Sequence, residues 1–295
     1  MRVLLTGVTG FIGQCLMPML NIQCKDIKIL TLNTDIKEAE EKYPYSEYSQ
    51  CKHVHSSNLE EVVLFNPEIT FHLATVTTHR IDTAVIKPIV SANIEFGVML
   101  LDALSKCPAM KLFVNTGSFA EYRHHHDIFD SAYLYAASKT AFRSFVDYYS
   151  NLCGFRYITA IPYTVYGGNM TVKRLMDYIK ESMDSDTPID MSGGEQVLDF
   201  IHVDDISNFF VGVVVNAEKF YCLKNNGEEF HLGTGIGTKI RSLGKMIENK
   251  YQKKCNVNWG GLPYRDRDIM YSVAPIEKND PSIGWKAKHL LMDKI

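Results

Sequence analysis

The fold is decided by the stretch TGVTGFIG, which runs from Thr6 to Gly13. It places Gly7, Gly10 and Gly13 at regular spacing between an apolar run, RVLLT, and a second apolar run that begins at Phe11. Glycine lets the backbone turn tightly and approach a ligand, and the next helix N-terminus offers free N–H groups and a positive dipole end. The stretch therefore predicts a strand, a turn and a helix that together hold a dinucleotide pyrophosphate. A strand-to-helix turn that merely needs small residues is the alternative interpretation.

Beyond this turn, short apolar runs alternate with longer amphipathic stretches. The strand-like runs are DIKILTL, ITFHLAT, MKLFVNTGS and YITAIPYTVYG, and the longest helical patterns are IVSANIEFGVMLLDALSKC and YAASKTAFRSFVDYYSNLCG. Such alternation predicts right-handed βαβ units. The predicted fold class is therefore α/β, a doubly wound Rossmann sheet, mainly parallel, with a smaller C-terminal substrate-binding lobe.

The rhythm of strands and helices changes after Tyr166. We therefore predict a dinucleotide-binding Rossmann core over residues 1–166, to which residues 195–235 return. Residues 167–194 and 236–295 are predicted to form the substrate-binding lobe. The first helix is expected to kink or end near Pro18, because proline lacks an N–H and clashes with the preceding turn.

Composition, net charge and cysteine spacing indicate the general class of this protein. The chain has 295 residues, 46% of them hydrophobic, with a formal net charge of −3. That balance is ordinary for a globular protein and gives no basic field for nucleic acid or acidic membranes. No secretory leader and no apolar stretch near the ~20 residues of a membrane span is visible. The seven cysteines are scattered without a C-x-x-C motif, so we expect reduced thiols in a cytoplasmic protein.

The end of the second predicted strand bears on the choice of cofactor. A dinucleotide site commonly presents an acid to the ribose about 20 residues after the glycine turn. Asn33 occupies that place and Asp35 follows it. Asn33 cannot repel a 2′-phosphate, yet the nearest following cation is Lys37 and not an arginine. The residues leave NADH and NADPH open, and we favour NADPH; Asp35 is equally well explained as a helix N-cap.

A tyrosine and a lysine are placed for acid–base chemistry in YAASK. Tyr135 and Lys139 are four residues apart, so on a helix they share one face. A free phenol titrates near pH 10, and a nearby ammonium favours the phenolate. We therefore expect Lys139 to lower the pKa of Tyr135 and to contact the nicotinamide ribose. A tyrosine tuned in this way can exchange a proton with a carbonyl or alcohol oxygen.

A third polar residue, Ser118, follows the predicted strand in NTGSFAEY. Ligand sites of doubly wound sheets open at the carboxyl ends of the strands. A hydroxyl at this edge can hydrogen-bond the reacting oxygen, although a plain turn residue is the alternative. Ser118, Tyr135 and Lys139 are the predicted catalytic residues.

The whole pattern resembles the extended short-chain dehydrogenase/reductase family, in its nucleotide-sugar epimerase/dehydratase branch. The resemblance is carried by TGVTGFIG, FHLATVT, ANIEFGVMLLDAL, NTGSFAEY, YAASK, YTVYGG, GGEQVLDFIHVDD and the late GWK. It implies that Asn93 lies in the helix under the active site and that Thr116 is a second hydroxyl near the substrate. The implied cofactor-binding residues are Gly7, Thr9, Gly10, Phe11, Ile12, Gly13, Asn33, Leu73, Ala74, Thr116, Tyr135 and Lys139. The implied substrate-binding residues are Thr75, Ser118, Lys173 and Arg265, with Arg265 on the diphosphate.

Within that branch the chain is most similar to the synthases of CDP-abequose and related dideoxyhexoses, through YRDRDIMYSVA and GWK. The resemblance implies an NAD(P)H-dependent reductase of the C4 keto group of a nucleotide-linked deoxyhexose. An epimerase that retains NAD is the first alternative, and a non-catalytic dinucleotide-binding protein is the second. The family also implies a homodimer, in which the YAASK helix and the ANIEFGVMLLDAL helix pair. The helical spacing of Phe142, Phe145, Tyr148 and Tyr149 indicates core or a dimer seam.

Three departures from the family pattern bear on this interpretation. Phe119 and Ala120 stand where 4,6-dehydratases carry an Asp–Glu pair, which argues against a dehydratase. Leu198 replaces the usual arginine before Asp199, and Pro162 replaces another, so the substrate lobe is expected to deviate.

Two histidine-rich stretches invite a metal but do not support one. HHHD, at residues 124–127, is interpreted as a solvated loop because consecutive loop histidines rarely face one centre. HVDD, at residues 202–205, is interpreted as a strand end with Asp204 or Asp205 capping the next helix. We predict no metal.

Overall fold

The computed structural model describes residues 1–80, 82–124, 126–168 and 173–294. His125 of the HHHD stretch and residues 169–172 of the predicted lobe lie outside the described residues. The strands are β1 (Arg2–Thr6), β2 (Lys28–Asn33), β3 (Cys51–His55), β4 (Ile69–His72), β5 (Leu112–Thr116), β6 (Arg156–Pro162), β7 (Thr164–Tyr166), β8 (Ile189–Met191), β9 (Val197–His202), β10 (Glu228–Leu232), β11 (Gly237–Lys239), β12 (Val257–Trp259) and β13 (Tyr271–Ser272). The helices are α1 (Phe11–Gln23), α2 (Ile36–Lys42), α3 (Glu60–Phe65), α4 (Ile86–Val90), α5 (Phe96–Leu104), α6 (Leu134–Cys153), α7 (Leu175–Ser182), α8 (Val203–Val215), α9 (Ala217–Tyr221), α10 (Ile240–Tyr251) and α11 (Leu291–Lys294).

The main sheet has seven strands in the order β10-β6-β5-β4-β1-β2-β3. Each neighbouring pair is parallel. The order runs outward in both directions from β1 and β4, so the loops after these two central strands meet at one edge of the sheet. The prediction of an α/β fold with a doubly wound, mainly parallel sheet is confirmed.

The two faces of the sheet are covered by different helices. Val3 and Leu5 of β1 pack in one cluster with residues of α1 and α8, whereas Leu4 packs in a second cluster with residues of α5 and α6. Successive strand side chains point to opposite faces, and here both faces are apolar, as a parallel sheet between helices requires. Of the two outcomes expected at Pro18, an end of the helix is wrong, because α1 continues to Gln23. Its later residue Leu20 is fully buried, and this packing stabilises the extra turn.

The second half of the chain divides between the main sheet and smaller ones. β10 joins the edge of the main sheet beside β6. β9 instead pairs with β7, β11 and β13, and β8 pairs with β12. Buried Asp199 on β9 accepts backbone hydrogen bonds from Thr234, Gly235 and Ala274 at 2.8–3.2 Å. One carboxylate thereby ties the loop after β10 and the segment after β13 to the second sheet.

The expectation that no apolar stretch approaches a membrane span is wrong by length and composition, because the helical segment Thr83–Leu104 is long and apolar enough to cross a membrane. It comprises a 3-10 turn, α4, a π-helical turn and α5. In the structure Leu100, Leu101 and Leu104 pack into the core beside α6. Asn93 in the π-helical turn is buried and hydrogen-bonded to Val76 and Ser138, so the segment serves here as a helix of the sheet's own core.

Candidate active site

The glycine turn brings three backbone segments into contact at the carboxyl end of β1. Gly7 has φ of +72°, a conformation that favours glycine. A Cβ on Gly7 would lie 2.8 Å from the backbone nitrogen of Ala74, and one on Gly13 would lie 2.2 Å from the carbonyl oxygen of Gly7. The Ala74 N–H donates to the Thr6 hydroxyl at 3.0 Å. Leu73 and Ala74 therefore lie against the turn, where the resemblance placed them along the cofactor.

The other predicted residues of the turn surround the start of α1. Gly10 is its N-cap residue and carries no side chain to cap it, so the helix N-terminus is open to a ligand anion. Ile12 packs against the core, and the Thr9 carbonyl accepts from the Gln14 side chain at 2.5 Å. This arrangement can hold a pyrophosphate.

At the end of β2, Asn33 is buried and its amide donates to the Thr31 hydroxyl at 2.8 Å. Asp35 caps α2, because its carboxylate accepts from the Glu38 backbone N–H at 3.1 Å. The capping role proposed as an alternative for Asp35 is therefore present. The Asn33 side-chain nitrogen is also within 3.4 Å of the Val54 carbonyl, so this amide is held within the sheet.

The three predicted catalytic residues come from two elements, the turn after β5 and the first turns of α6. The hydroxyl oxygens of Ser118 and Tyr135 are 2.9 Å apart. Lys139 lies one helical turn after Tyr135, and all three side chains are buried. Hydrogen-bonding distance between two residues 17 positions apart in the chain creates a paired hydroxyl site at the carboxyl edge of the sheet.

The pKa shifts of Tyr135 and Lys139 differ from those expected from the sequence. Burial raises the pKa of Tyr135, and the hydrogen bond with Ser118 opposes that rise. Burial also lowers the pKa of Lys139 to about 8. The expected lowering of the Tyr135 pKa by Lys139 is therefore absent in this structure, since the loss of hydration dominates for both groups. Both side chains are protonated at neutral pH, with Lys139 near its titration point.

The buried side-chain amide of Asn93 connects the chain segments that form the site. Asn93 Oδ1 accepts from the Thr75 hydroxyl at 3.0 Å and from the Val76 backbone at 2.7 Å. Its Nδ2 donates to the Ser138 hydroxyl at 2.9 Å, and Ser138 donates to the Tyr135 carbonyl at 2.6 Å. This chain of bonds fixes the loop after β4 relative to the first turn of α6, as the position of Asn93 under the site implied.

Thr116, at the end of β5, has a buried hydroxyl for which the described residues provide no hydrogen-bond partner. Buried polar groups are normally satisfied. A group bound at the carboxyl edge of the sheet could supply that partner, in keeping with the predicted role of Thr116.

The two predicted phosphate-binding cations are exposed. Lys173 pairs with Glu181 at 2.7 Å, and Arg265 lies 3.7 Å from the Asp268 carboxylate. The structure places Arg174, the neighbour of Lys173, over the ring of Phe11 with its guanidinium carbon 3.9 Å from the ring centroid. Its positive charge also opposes the rise that burial causes in the pKa of Tyr135. Of the adjacent cations Lys173 and Arg174, Arg174 is therefore the one that contacts the glycine turn. Their adjacency in the sequence does not indicate which of the two lies there.

Arg265 lies on the side of the site formed by His79 and Tyr133. The His79 and Tyr133 rings are 4.4 Å apart in an edge-to-face contact, and Tyr133 is stacked on Tyr135 at 6.1 Å. Burial and the nearby Arg265 charge lower the pKa of His79. His79 and Tyr133 therefore form a wall beside the reactive phenol. No motif pointed to His79; its role follows from contacts that only the folded chain creates.

The histidine-rich stretches adopt separate roles. His202, and not Asp204 or Asp205 as expected, caps α8, because its Nδ1 accepts from the Asp204 backbone N–H at 3.2 Å. Asp205 is buried and accepts instead from the backbones of Lys288 and His289. His202, Asp204 and His289 bring potential metal-ligand atoms within 4.8 Å of one another, but the His202 nitrogen that faces Asp204 is already engaged by the cap.

In the HHHD loop, the described residues find different partners. His124 lies 3.5 Å from Asp130, Asp127 pairs with Lys278, and His126 approaches the Tyr163 hydroxyl at 3.3 Å.

Comparisons with known proteins identify the family and support the fold. Residues 3–223 match the model of the NAD dependent epimerase/dehydratase family. The CDP-abequose synthase of Salmonella typhimurium is 25% identical over 298 aligned positions, covering 96% of this chain and 92% of that protein. The CDP-abequose synthase of Yersinia pseudotuberculosis is also 25% identical and covers 92% of this chain and 91% of that protein. A crystal structure of the UDP-glucuronic acid 4-epimerase Y149F mutant of Bacillus cereus, in complex with UDP-4-deoxy-4-fluoro-glucuronic acid and NAD, superposes with a TM-score of 0.85. It is 20% identical and covers all of this chain and 96% of its own, so this likeness concerns the fold.

Proposed function

The chain belongs to the NAD-dependent epimerase/dehydratase family, and from that premise we propose that it is an NAD(P)H-dependent reductase of the C4 keto group of a nucleotide-linked deoxyhexose. The observation that carries the proposal is the 2.9 Å contact between the Ser118 and Tyr135 hydroxyls, with Lys139 one turn later. The proposal also draws on the similarity to CDP-abequose synthases over nearly the whole chain.

In the proposed reaction, a reduced nicotinamide bound at the glycine turn supplies the hydride that C4 gains. The C4 oxygen gains its proton from the Tyr135 hydroxyl. Ser118, which shares a hydrogen bond with that hydroxyl, orients the carbonyl oxygen. Lys139 contacts the ribose and, when charged, stabilises the phenolate left after the proton has moved. Burial of all three residues strengthens these interactions because little water competes for them.

The residues after Ser118 support a reductase over a dehydratase. Elimination of water needs its own acid and base. The Phe119 ring is stacked on Tyr163 at 5.8 Å, and Ala120 is buried. The first carboxylate after them, Glu121, is fully buried and paired with Arg143. Phe119 and Ala120 thus carry no group that transfers a proton, and Glu121 is committed to Arg143.

We place the diphosphate of the nucleotide sugar between Arg174 and Arg265, with Thr75 near the sugar. Arginine binds phosphate through two parallel hydrogen bonds. Arg174 lies over Phe11 of the glycine turn, whereas Arg265 is exposed beside His79 and Tyr133. Lys173 is a weaker candidate because Glu181 neutralises it. For the nicotinamide, NADPH remains the favoured form, since Asn33 carries no charge to repel a 2′-phosphate.

We also propose a homodimer formed through α5 and α6. Met99, Phe145, Tyr148 and Leu152 are exposed at 51%, 39%, 59% and 62%. Exposed apolar residues that share adjacent helices favour a protein interface. Light scattering of Tyr148→Arg, which places a charge in this seam, should show monomers where the parent chain shows dimers.

The test of the reductase is incubation with a panel of nucleotide-linked 4-keto-6-deoxy sugars, following the absorbance of reduced nicotinamide. Loss of that absorbance, stoichiometric with a product reduced at C4, is the expected result. Tyr135→Phe is the matched control because it keeps the ring and removes the proton.

The runner-up function is a nucleotide-sugar epimerase, which would use Ser118, Tyr135 and Lys139 with NAD retained. The solved neighbour is a UDP-glucuronic acid 4-epimerase, so this fold is compatible with epimerisation. Protein that is purified with bound nicotinamide, and that interconverts sugars without added NADPH, would favour epimerisation. An absence of any turnover, unchanged in Tyr135→Phe, would favour the non-catalytic alternative.

A further inference from the structure

A buried carboxylate lies directly behind the proposed catalytic residues. Glu121 ends the 3-10 turn that follows Ser118, and its side chain is fully buried. Its Oε1 accepts a hydrogen bond from the Ser118 backbone N–H at 2.8 Å. In return, the Ser118 hydroxyl accepts from the Ala120 backbone at 3.2 Å. The direction of the Ser118 hydroxyl, and thus its contact with Tyr135, depends on this carboxylate.

The far side of the Glu121 carboxylate is held by α6. Arg143 donates to Oε2 at 2.8 Å and to Oε1 at 3.2 Å, and the Thr140 hydroxyl donates to Oε2 at 3.0 Å. Gly117 makes room for the pair, because a Cβ there would lie 2.7 Å from Oε1 and 2.9 Å from the Arg143 guanidinium. The carboxylate therefore links the turn after β5 to the helix that carries Tyr135 and Lys139.

Glu121 also belongs to the set of charges that face Lys139. That set comprises Glu121 on the turn, Arg143 on α6 and His72 on β4. Burial lowers the pKa of His72 to about 3, so it is neutral. Glu121 raises the pKa of Lys139 against the effects of burial and Arg143, and acts on it more strongly than Arg143 does.

The same carboxylate raises the pKa of Tyr135, where the charge of Arg174 acts in the opposite direction. Negative charge favours the protonated form of each group. Reduction of a carbonyl needs a protonated Tyr135 as donor and a charged Lys139 beside it, so both effects of Glu121 point the same way.

We propose that Glu121 is a positioning residue that fixes the Ser118 hydroxyl and places a negative charge behind Tyr135 and Lys139. The inference rests on the proposed function for its catalytic meaning, and on the hydrogen bonds of Glu121 with Ser118, Thr140 and Arg143 for its geometry. The chain offers a matched comparison in Glu229, which also pairs with Arg143 and accepts from the Tyr122 hydroxyl at 2.6 Å. Glu229 shares the arginine with Glu121 but is not among the groups that set the charge of Lys139.

The first experiment needs neither substrate nor turnover. Carbon-13 lysine NMR of the full chain, with the Lys139 signal assigned by Lys139→Met, gives the titration midpoint of Lys139 directly. In Glu121→Gln the midpoint should fall by about one pH unit or more, because a neighbouring opposite charge shifts a buried group by roughly 1–3 units. In Glu229→Gln it should stay within about 0.3 units, as expected for a charge that Arg143 screens from Lys139.

The second experiment measures kcat against pH for the same variants with the 4-keto sugar that the parent chain reduces. Glu121→Gln should lower kcat about tenfold, because a misplaced or deprotonated catalytic group costs on that scale, and should move the alkaline limb to lower pH. Glu229→Gln should keep the parent profile. An unchanged Lys139 midpoint in Glu121→Gln, together with parental kcat, would show that Glu121 only packs.

A variant that loses one member of a buried ion pair can be unstable. The double variant Glu121→Gln/Arg143→Met removes both charges, a change that is often tolerated. Its Lys139 midpoint should still lie below that of the parent, because Glu121 outweighs Arg143 at Lys139. A midpoint at or above the parental value would overturn the proposal. If the parent chain reduces no 4-keto sugar, the proposed function fails, while the NMR midpoints still decide the role of Glu121.

Discussion

The proposed reacting groups and a proposed phosphate-binding cation lie in different kinds of structure. Ser118, Tyr135 and Lys139 are at most 9% exposed and lie on the turn after β5 and on α6, both parts of the seven-stranded core. Arg265 has a side chain that is 60% exposed and lies in an irregular segment between β12 and β13. The proposed reacting groups thus belong to buried, regular elements, whereas Arg265, a proposed phosphate-binding residue, lies on an open surface.

Under the proposed function, this difference in burial separates the groups that react from the group that binds the diphosphate. A buried hydroxyl pair keeps its 2.9 Å geometry because sheet and helix hold both partners. An exposed arginine is free to adapt to a ligand, and loops of this kind vary without disturbing the core. The same core can therefore serve different nucleotide sugars when the lobe changes.

The largest effect is expected for Tyr135→Phe, which tests the buried group alone. Removal of the proton donor should lower kcat about 10³-fold, within the usual range for general acid catalysis. The KM for the nucleotide sugar and the thermal midpoint should change little, since the ring remains in the core. Steady-state kinetics and calorimetry check this, and a kcat within tenfold of the parent would assign the proton to another group.

The link between the two regions is tested by Asp199→Asn. Asp199 accepts hydrogen bonds from Thr234, Gly235 and Ala274, and bonds to a buried charged group contribute about 1.5–3 kcal/mol each. We expect the free energy of unfolding to fall by about 3 kcal/mol, measured by urea titration. Exposed Asp190, bonded to Asn258, is the control, and Asp190→Asn should cost less than about 1 kcal/mol. Equal losses in both variants would remove the special role of Asp199.

The close approach at the glycine turn is tested by Gly13→Ala. Its Cβ would lie 2.2 Å from the Gly7 carbonyl oxygen, and relief of such overpacking typically costs about 1–3 kcal/mol. The dissociation constant for NADPH, measured by fluorescence, should rise by about 10- to 100-fold. Gly212 on α8 has open space at the Cβ position, so Gly212→Ala should bind NADPH like the parent. Unchanged binding in both variants would place the dinucleotide elsewhere.

The smallest effect distinguishes two adjacent cations. Arg174→Gln should raise the KM for the nucleotide sugar about tenfold, the loss expected for one charged hydrogen bond of about 1.5 kcal/mol. Lys173→Gln should change it less than about twofold, because an exposed ion pair such as Lys173–Glu181 contributes little. The reverse order would restore Lys173 as the phosphate contact.

Sequence patterns identified the elements of the core but not all the groups of the site. Ser118 and Tyr135 were predicted from strand-end position and helical spacing, and the structure brings their hydroxyls together. Glu121 could have been recognised from its place three residues after Ser118, the spacing of a capping box. Arg174 and His79 gave no such signal, because their neighbours, Phe11 and Tyr133, are distant in the chain.

By itself the sequence determined the doubly wound α/β fold, because local periodicity and the glycine turn fix strands, helices and their order over short distances. It also determined that Tyr135 and Lys139 share one face, because helical geometry requires it. Only the tertiary structure decided their charges, since the pKa of Lys139 depends on burial and on Glu121, which arrives from another element. Electrostatic free energies depend on distances through space and on hydration, and neither quantity is written in the order of the residues.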